Sequence, residues 1–150
     1  MKTLWDNVDL FERTVAEYAG SKYAVAVDSC SNALFLCMKA FQHMNPDDQT
    51  RHVTVPTRTY ISVPMQVKHA GYHVEFKDMS WSGAYELDPL PIVDSAQRFT
   101  ENMFVPGTLY CLSFHSKKIL SIGRGGMILT NSKQYRDWLR AARYDGRSSI

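Results

Sequence analysis

The sequence of 150 residues predicts an α/β fold, in which a mostly parallel β-sheet is flanked by helices. Short apolar runs typical of buried strands alternate along the chain with segments whose apolar residues recur at helical spacing. The connections between these segments are short, which is typical of strands and helices that follow one another in parallel sheets. The length suits one domain, so we expect residues 1–150 to form a single α/β unit.

Composition and charge exclude several classes of function. The net charge is +2 and has no basic block, which argues against a nucleic-acid partner. No apolar run approaches the roughly 20 residues that a membrane span needs. The three cysteines lack metal-ligand spacing, so we expect reduced thiols, no metal site and a cytoplasmic protein. The first residues run into a charged amphipathic segment, and we therefore expect no signal peptide.

The first third of the chain predicts a helix, a strand and a second helix. The first helix is indicated by apolar residues that recur every three or four positions: Leu4, Val8, Phe11, Val15 and Tyr18. Asp6 or Asn7 can cap its start, and Gly20 ends it. A buried strand over 23–27 and an apolar helix over 33–41 follow.

The middle of the chain continues the alternation and then becomes irregular. Two strands, over 52–56 and 73–76, are joined by a helix over 62–69. Two prolines in the stretch 79–91 are incompatible with a central strand or a long helix there. The remaining elements are strands over 92–97, 109–114 and 127–130, and an amphipathic helix over 132–143.

A hydroxyl-rich turn over 28–32 joins the first predicted strand to the second helix. The start of a helix offers free backbone N–H groups and the positive end of the helix dipole, which suits a phosphate group. The alternative is an ordinary helix N-cap formed by Ser29 or Ser31, which is the commoner use of such residues. The turn alone therefore leaves both interpretations open.

Three further residues follow predicted strands at positions where open α/β sheets bind ligands. Asp94 stands near the end of one strand, Tyr60 follows another, and Lys118 lies between two apolar strands. Alone, Asp94 could be a cap or turn residue, and Lys118 could be a solvated loop lysine. Together with the turn over 28–32 they are the four parts of a pyridoxal phosphate site, in which lysine forms the Schiff base and aspartate keeps the pyridine nitrogen protonated.

At the level of motifs the chain resembles a known family. The matching segments are Phe11-Glu12, Tyr18-Ala19-Gly20, Val55-Pro56 with Thr59-Tyr60, Asp94-Ser95-Ala96-Gln97, Ser113-Phe114 five residues before Lys118, and Gly125-Gly126. They are similar to those of the DegT/StrS-type aminotransferases, which act on keto-sugars of nucleotide sugars and have the pyridoxal phosphate fold type I architecture. The resemblance covers nearly the whole chain, although the chain is shortened.

The resemblance implies a role for each site residue. Lys118 would be the Schiff-base lysine and proton shuttle, and Asp94 the partner of the pyridine nitrogen. The other implied cofactor-binding residues are Gln97 near the ring hydroxyl, Tyr60 stacked on the ring, and Ser31, Asn32 and Ser113 at the phosphate. The resemblance further implies glutamate as amino donor, a keto-sugar nucleotide as acceptor, a role in polysaccharide biosynthesis, and a homodimer.

The chain also departs from the family pattern. Cys30 stands where glycine is usual, and Asp145 where a histidine is usual. The stretch from Asp78 to Ile92 is much shorter than in relatives and lacks a strand and a helix. The family's C-terminal small domain is absent, so we expect an incomplete pyridoxal phosphate-binding domain. A non-catalytic remnant that binds the cofactor, or only keeps the fold, is therefore an alternative; sugar dehydration is another, although the retained lysine favours transamination.

Overall fold

The computed structural model describes residues 4–147. The expectation of no signal peptide rests partly on residues 1–3, which lie outside the described residues. The helices are α1 (Leu4–Ala19), α2 (Cys30–Met44), α3 (Ser62–His69) and α4 (Lys133–Ala142). The strands are β1 (Tyr23–Val27), β2 (His52–Pro56), β3 (His73–Lys77), β4 (Tyr85–Glu86), β5 (Ile92–Asp94), β6 (Leu109–Ser113) and β7 (Gly126–Thr130). Among the described helices, none has the length and apolar character to cross a membrane.

The α/β class is confirmed, but the sheet is mixed rather than mostly parallel in its pairing. Five strands are ordered β1-β7-β6-β5-β4, and β2 pairs with β3 in a separate parallel pair. In the larger sheet β5 and β6 are parallel, whereas β7 is antiparallel to both of its neighbours. The reason is that the connection from β6 to β7, over 114–125, is a loop without a helix, and it returns the chain as an antiparallel neighbour.

The strand directions still bring the ends of three strands to one edge. Because β7 is antiparallel to both β1 and β6, those two strands run in the same direction, and β5 runs with them. The carboxyl ends of β1, β5 and β6 therefore lie on the same side of the sheet. This is the edge at which open α/β sheets bind ligands.

Helix α2 packs across the middle of the sheet and supplies much of the core. It begins at Cys30, three residues before the predicted start at Ala33, because Ser29 caps it and accepts a hydrogen bond from the Asn32 N–H at 3.2 Å. Its buried face is made of Cys30, Ala33, Leu34, Cys37, Met38 and Ala40. Strand β7 approaches the start of this helix so closely that a Cβ on Gly126 would lie 2.4 Å from the carbonyl carbon of Ser29.

A buried ion cluster fastens α1 and α4 to β1. The Glu12 side chain, 4% exposed, accepts a hydrogen bond from the Ala26 N–H at 2.8 Å. Its two oxygens also accept from the guanidinium groups of Arg140 and Arg143. Because both carboxylate oxygens are satisfied, the burial of this charge is compensated. Helix α1 itself begins at Leu4, earlier than the predicted caps at Asp6 or Asn7.

The irregular stretch 79–91 forms a compact turn that contains the short strand β4. Its apolar side chains Leu87 and Leu90 are buried at 0% and 2% exposed. The Leu87 N–H donates to the Ile92 carbonyl at 2.8 Å, and the Thr54 N–H of β2 donates to the Asp88 carbonyl at 2.8 Å. This turn therefore connects the β2–β3 pair to the larger sheet.

Candidate functional site

A cavity of about 1020 Å³ lies at the carboxyl edge of the sheet, between the start of α2 and the β6–β7 loop. Six of the seven residues singled out in the sequence line it: Ser31, Tyr60, Asp94, Gln97, Ser113 and Lys118. They come from segments up to 87 positions apart, which the strand directions bring to one edge. The seventh residue, Asn32, lies elsewhere.

Asp94 is the buried acid of the cavity and is 6% exposed. Its Oδ2 accepts a hydrogen bond from the Tyr85 hydroxyl at 2.8 Å, and its Oδ1 accepts from the Ala96 N–H at 3.0 Å. Burial raises the pKa of this carboxyl above its ordinary value, while these two hydrogen bonds and the charge of Lys118 act in the opposite direction. Asp94 is therefore a turn residue, because its Oδ1 accepts from the N–H two residues on, and it is also a buried carboxylate that lines the cavity.

Lys118 and Lys117 stand next to each other in the β6–β7 loop and differ in exposure. Lys118 is half-buried and Lys117 is exposed, although both line the cavity. The Lys118 N–H donates to the His115 carbonyl at 2.9 Å, and the Ser116 N–H donates to the Gly123 carbonyl at 3.0 Å. These backbone hydrogen bonds fix the conformation of the loop beside the cavity and thereby the backbone positions of the two lysines.

Three serines gather where two helices begin. The hydroxyls of Ser31 on α2 and Ser62 on α3 are 2.7 Å apart, and Ser113 ends β6 on the same cavity wall. Ser29 is the N-cap of α2, so the cap alternative holds for Ser29 and leaves the Ser31 hydroxyl facing the cavity. Hydroxyl groups together with the positive end of a 15-residue helix suit an anion such as a phosphate.

Asn32 turns away from this cavity. Its Nδ2 donates to both carboxylate oxygens of Asp28, at 2.7 and 2.8 Å, and the residue lines a neighbouring cavity beside α1 and α4. The Asp28 carboxylate, four residues earlier, captures the amide and sets its direction. The placement of Asn32 therefore does not bring it together with the other predicted phosphate ligands.

Several lining residues were not foreseen from the sequence. They are Arg58, Thr59, Ser62, Trp81, His115 and Arg124. Arg58, Arg124 and the two lysines give the cavity lining four cationic side chains, and Asp94 is the one acid among the described lining residues; the Arg124 guanidinium also lies 3.7 Å from the Asp28 carboxylate outside the lining. This balance favours an anionic ligand. A signal was present for Arg58 and Ser62, since both flank Tyr60 in the segment that follows β2.

Comparison with known proteins gives matches to one family. The sequence model of the DegT/DnrJ/EryC1/StrS aminotransferase family matches residues 1–104 and 103–149. The spore coat polysaccharide biosynthesis protein SpsC of Bacillus subtilis (strain 168) is 26% identical, over 94% of this chain and 46% of its own length. The dTDP-3-amino-3,6-dideoxy-alpha-D-galactopyranose transaminase of Aneurinibacillus thermoaerophilus is 30% identical over 68% of this chain and 27% of its own length. The chain thus spans less than half the length of these curated relatives.

Solved structures show the same fold. DesV of S. venezuelae superposes with a TM-score of 0.77 at 17% identity, over 99% of this chain and 50% of its own. A DegT DnrJ EryC1 StrS aminotransferase from Brucella abortus superposes with a TM-score of 0.75 at 19% identity, over 98% of this chain and 52% of its own. The family match extends along nearly the whole sequence and the fold is shared, and the chain therefore belongs to the DegT/DnrJ/EryC1/StrS aminotransferase family.

Proposed function

We propose that this chain forms the cofactor-binding part of a pyridoxal phosphate-dependent aminotransferase that transfers an amino group from glutamate to a nucleotide-linked keto-sugar. The observation that carries the proposal is one cavity that joins a buried carboxylate, a half-buried lysine and a hydroxyl-lined pair of helix starts. Two relatives, a sugar transaminase and a polysaccharide biosynthesis protein, support the substrate class.

The donor groups of the cavity fit pyridoxal phosphate. At the start of α2 and α3, Ser31 and Ser62, with Ser113, would hold the phosphate through hydroxyls and free N–H groups. Asp94 would stabilise a proton on the ring nitrogen. The hydrogen bonds to its two oxygens favour the charged carboxylate in this buried place, and a negative charge favours a protonated nitrogen beside it. When bound, the cofactor supplies an electron sink for the reaction.

The remaining roles follow from position around the cavity. Tyr60 lines the cavity and is 73% exposed, so its ring would be available for a flat heterocycle to stack on. Gln97 is exposed at the cavity wall, directly after the turn that the Asp94–Ala96 hydrogen bond closes, and would meet the ring hydroxyl. Lys118 would bond to the cofactor, and its amine, set free when the amino donor takes its place, would take up the proton that leaves the donor α-carbon and pass it on.

The outer part of the cavity suits a nucleotide and a second subunit. Arg58, Lys117 and Arg124 place cationic groups around it, which would attract the diphosphate of a nucleotide sugar. Apolar side chains near the mouth are strongly exposed: Tyr60, Ile61, Ile119 and Ile122. Exposed apolar residues grouped at a site entrance are typical of protein interfaces. They support the proposal that two copies of the chain pair across this face.

The proposal is tested by following the visible absorption of the protein after it is saturated with pyridoxal phosphate and dialysed. Addition of glutamate should move the absorption to shorter wavelength and release 2-oxoglutarate, because the amino group passes to the cofactor. Alanine at the same concentration is the matched control for a non-specific amine. Retained cofactor without any response to glutamate would favour the non-catalytic alternative, and failure to retain cofactor would refute both.

A further inference from the structure

Tyr85 occupies a position that the sequence did not single out. It lies on β4, directly opposite Asp94 in the antiparallel β4–β5 pair. The side chain is 6% exposed and stands behind the carboxylate, outside the lining of the cavity. It therefore approaches Asp94 from the protein interior and leaves the cavity side of the carboxylate accessible to a ligand.

The hydrogen bonds around Tyr85 have a definite direction. Its hydroxyl donates to Asp94 Oδ2 at 2.8 Å, while Oδ1 is held by the Ala96 N–H. The Thr59 hydroxyl also lies within hydrogen-bond distance of the Tyr85 oxygen. A phenol has one proton, and here that proton goes to Asp94, so Thr59 is the donor to Tyr85. The result is a relay from Thr59 through Tyr85 to Asp94.

The ring of Tyr85 is itself held in place. Trp81 packs edge-on against it with ring centroids 4.7 Å apart, and the Trp81 Nε1–H donates to the Arg58 carbonyl at 2.8 Å. The compact turn over 79–91 is anchored to β2 by the Thr54–Asp88 backbone bond. Tyr85 and Trp81 thus both belong to the stretch 79–91, which we expect from the sequence to be shorter than in other members of the family.

We propose that Tyr85 is a positioning residue, which fixes Asp94 as an anion aimed into the cavity and connects it through Thr59 to the segment that carries Tyr60. The inference rests on the proposed function, because the group that Asp94 would meet is the cofactor ring. A buried carboxylate needs hydrogen-bond donors in order to remain charged. Among the described groups, Asp94 has two such donors, the Tyr85 hydroxyl and the Ala96 N–H, besides the weak thiol donor of Cys30 at 3.9 Å.

The charged and titratable groups around Asp94 support this assignment. Cys30 faces it from α2, Tyr85 from β4, Cys111 from β6 and Lys118 from the β6–β7 loop. Burial first, and then the charge of Asp94, raises the pKa of Tyr85 far above its ordinary value, so the phenol stays a donor at all physiological pH. The Tyr85 hydrogen bond acts against the burial that raises the pKa of Asp94.

The test uses Tyr85→Phe, with Tyr110→Phe as matched control. Tyr110 is 7% exposed, and its ring packs against Phe104 rather than Asp94. In cofactor-free protein with 13C-labelled aspartate, the Asp94 carboxyl signal, assigned by its loss in Asp94→Asn, should titrate at higher pH in Tyr85→Phe and be unchanged in the control. Affinity for pyridoxal phosphate should fall about tenfold or more in Tyr85→Phe, the factor for losing one hydrogen bond to a charged group.

Two outcomes separate this inference from the proposed function. If the wild-type protein binds pyridoxal phosphate and Tyr85→Phe shows wild-type affinity and titration, the positioning role is refuted. If the wild-type protein does not bind the cofactor, the proposed function fails together with the cofactor part of the inference, and the titration still decides whether Tyr85 holds the carboxylate. Thr59→Val should shift the titration in the same direction by less, and circular dichroism checks that each variant is folded.

Discussion

Replacing Gly126 with alanine should disturb the fold and the cofactor cavity together. The added Cβ would lie 2.4 Å from the carbonyl carbon of Ser29, 2.6 Å from its oxygen and 2.7 Å from the Cys30 nitrogen. All three are backbone atoms at the start of α2, so no side-chain rotation can relieve the contact. The helix start and β7 must separate by about 1 Å to reach an ordinary carbon–carbon distance of roughly 3.5 Å.

The cost follows from this displacement. Forcing one extra carbon into a packed contact lowers the free energy of unfolding by about 1–3 kcal/mol, and more when backbone has to move. For a domain of this size about 2–4 °C of melting temperature is lost per kcal/mol. Because the same shift moves Ser31 away from Ser113, we expect the affinity for pyridoxal phosphate, and for inorganic phosphate as a competitor, to fall as well.

Gly107→Ala is the matched control. Gly107 has φ +87 and nothing within 4 Å of an added Cβ, so the substitution costs about 1–2 kcal/mol through backbone strain alone. Urea unfolding measures both variants, and cofactor affinity is measured by fluorescence titration. We expect both variants to lose stability, Gly126→Ala more than Gly107→Ala, but a loss of affinity only for Gly126→Ala. Wild-type affinity in a destabilised Gly126→Ala protein would refute the link between this glycine and the phosphate end of the cavity.

Three further predictions concern the ion cluster, the buried acid and the assembly. Glu12→Gln should lower the free energy of unfolding by about 3–5 kcal/mol, because it removes the buried charge that pairs with two guanidinium groups. Asp9→Asn, at the partly exposed edge of the same cluster, should lower it by less than about 1 kcal/mol. Urea unfolding measures both variants. Asp94→Asn should retain the fold by circular dichroism and lose most of the glutamate half-reaction in a stopped-flow absorbance assay, and a wild-type rate would remove Asp94 from the site. Light scattering at micromolar concentration should give about twice the 17.1 kDa chain mass, whereas a stable monomer would contradict the proposed pairing of subunits.

Local patterns in the sequence predict the positions of most elements, and three of them with the bounds that the structure has. The strands 23–27 and 52–56 and the helix 62–69 have the bounds that their apolar runs and flanking glycine or proline indicate. Strand pairing was predicted less well, because it depends on whether a loop or a helix joins consecutive strands. The apolar runs at 109–114 and 127–130 look alike as buried strands, yet they lie antiparallel.

In the candidate site, too, local sequence predicts some features, and others depend on contacts that form only in the folded chain. Asp94, Lys118 and Ser113 were foreseen because each stands near the end of an apolar run, a position that local sequence reveals. Asn32 lies outside the cavity lining for a local reason, namely that its amide donates to the Asp28 carboxylate. Tyr85 escaped notice because its strand has only two residues and lies in a proline-containing stretch, and its pairing with Asp94 exists only in the folded chain.

The most direct test of the account is to identify the residue that bonds to the cofactor. The protein is saturated with pyridoxal phosphate, reduced with borohydride, and digested for peptide mapping, with Lys117→Ala and Lys118→Ala treated in parallel. We predict that the reduced pyridoxyl label is found on Lys118 in the wild type and in Lys117→Ala, and is lost in Lys118→Ala. A label on Lys117, or no labelled lysine in cofactor-saturated protein, would contradict the account.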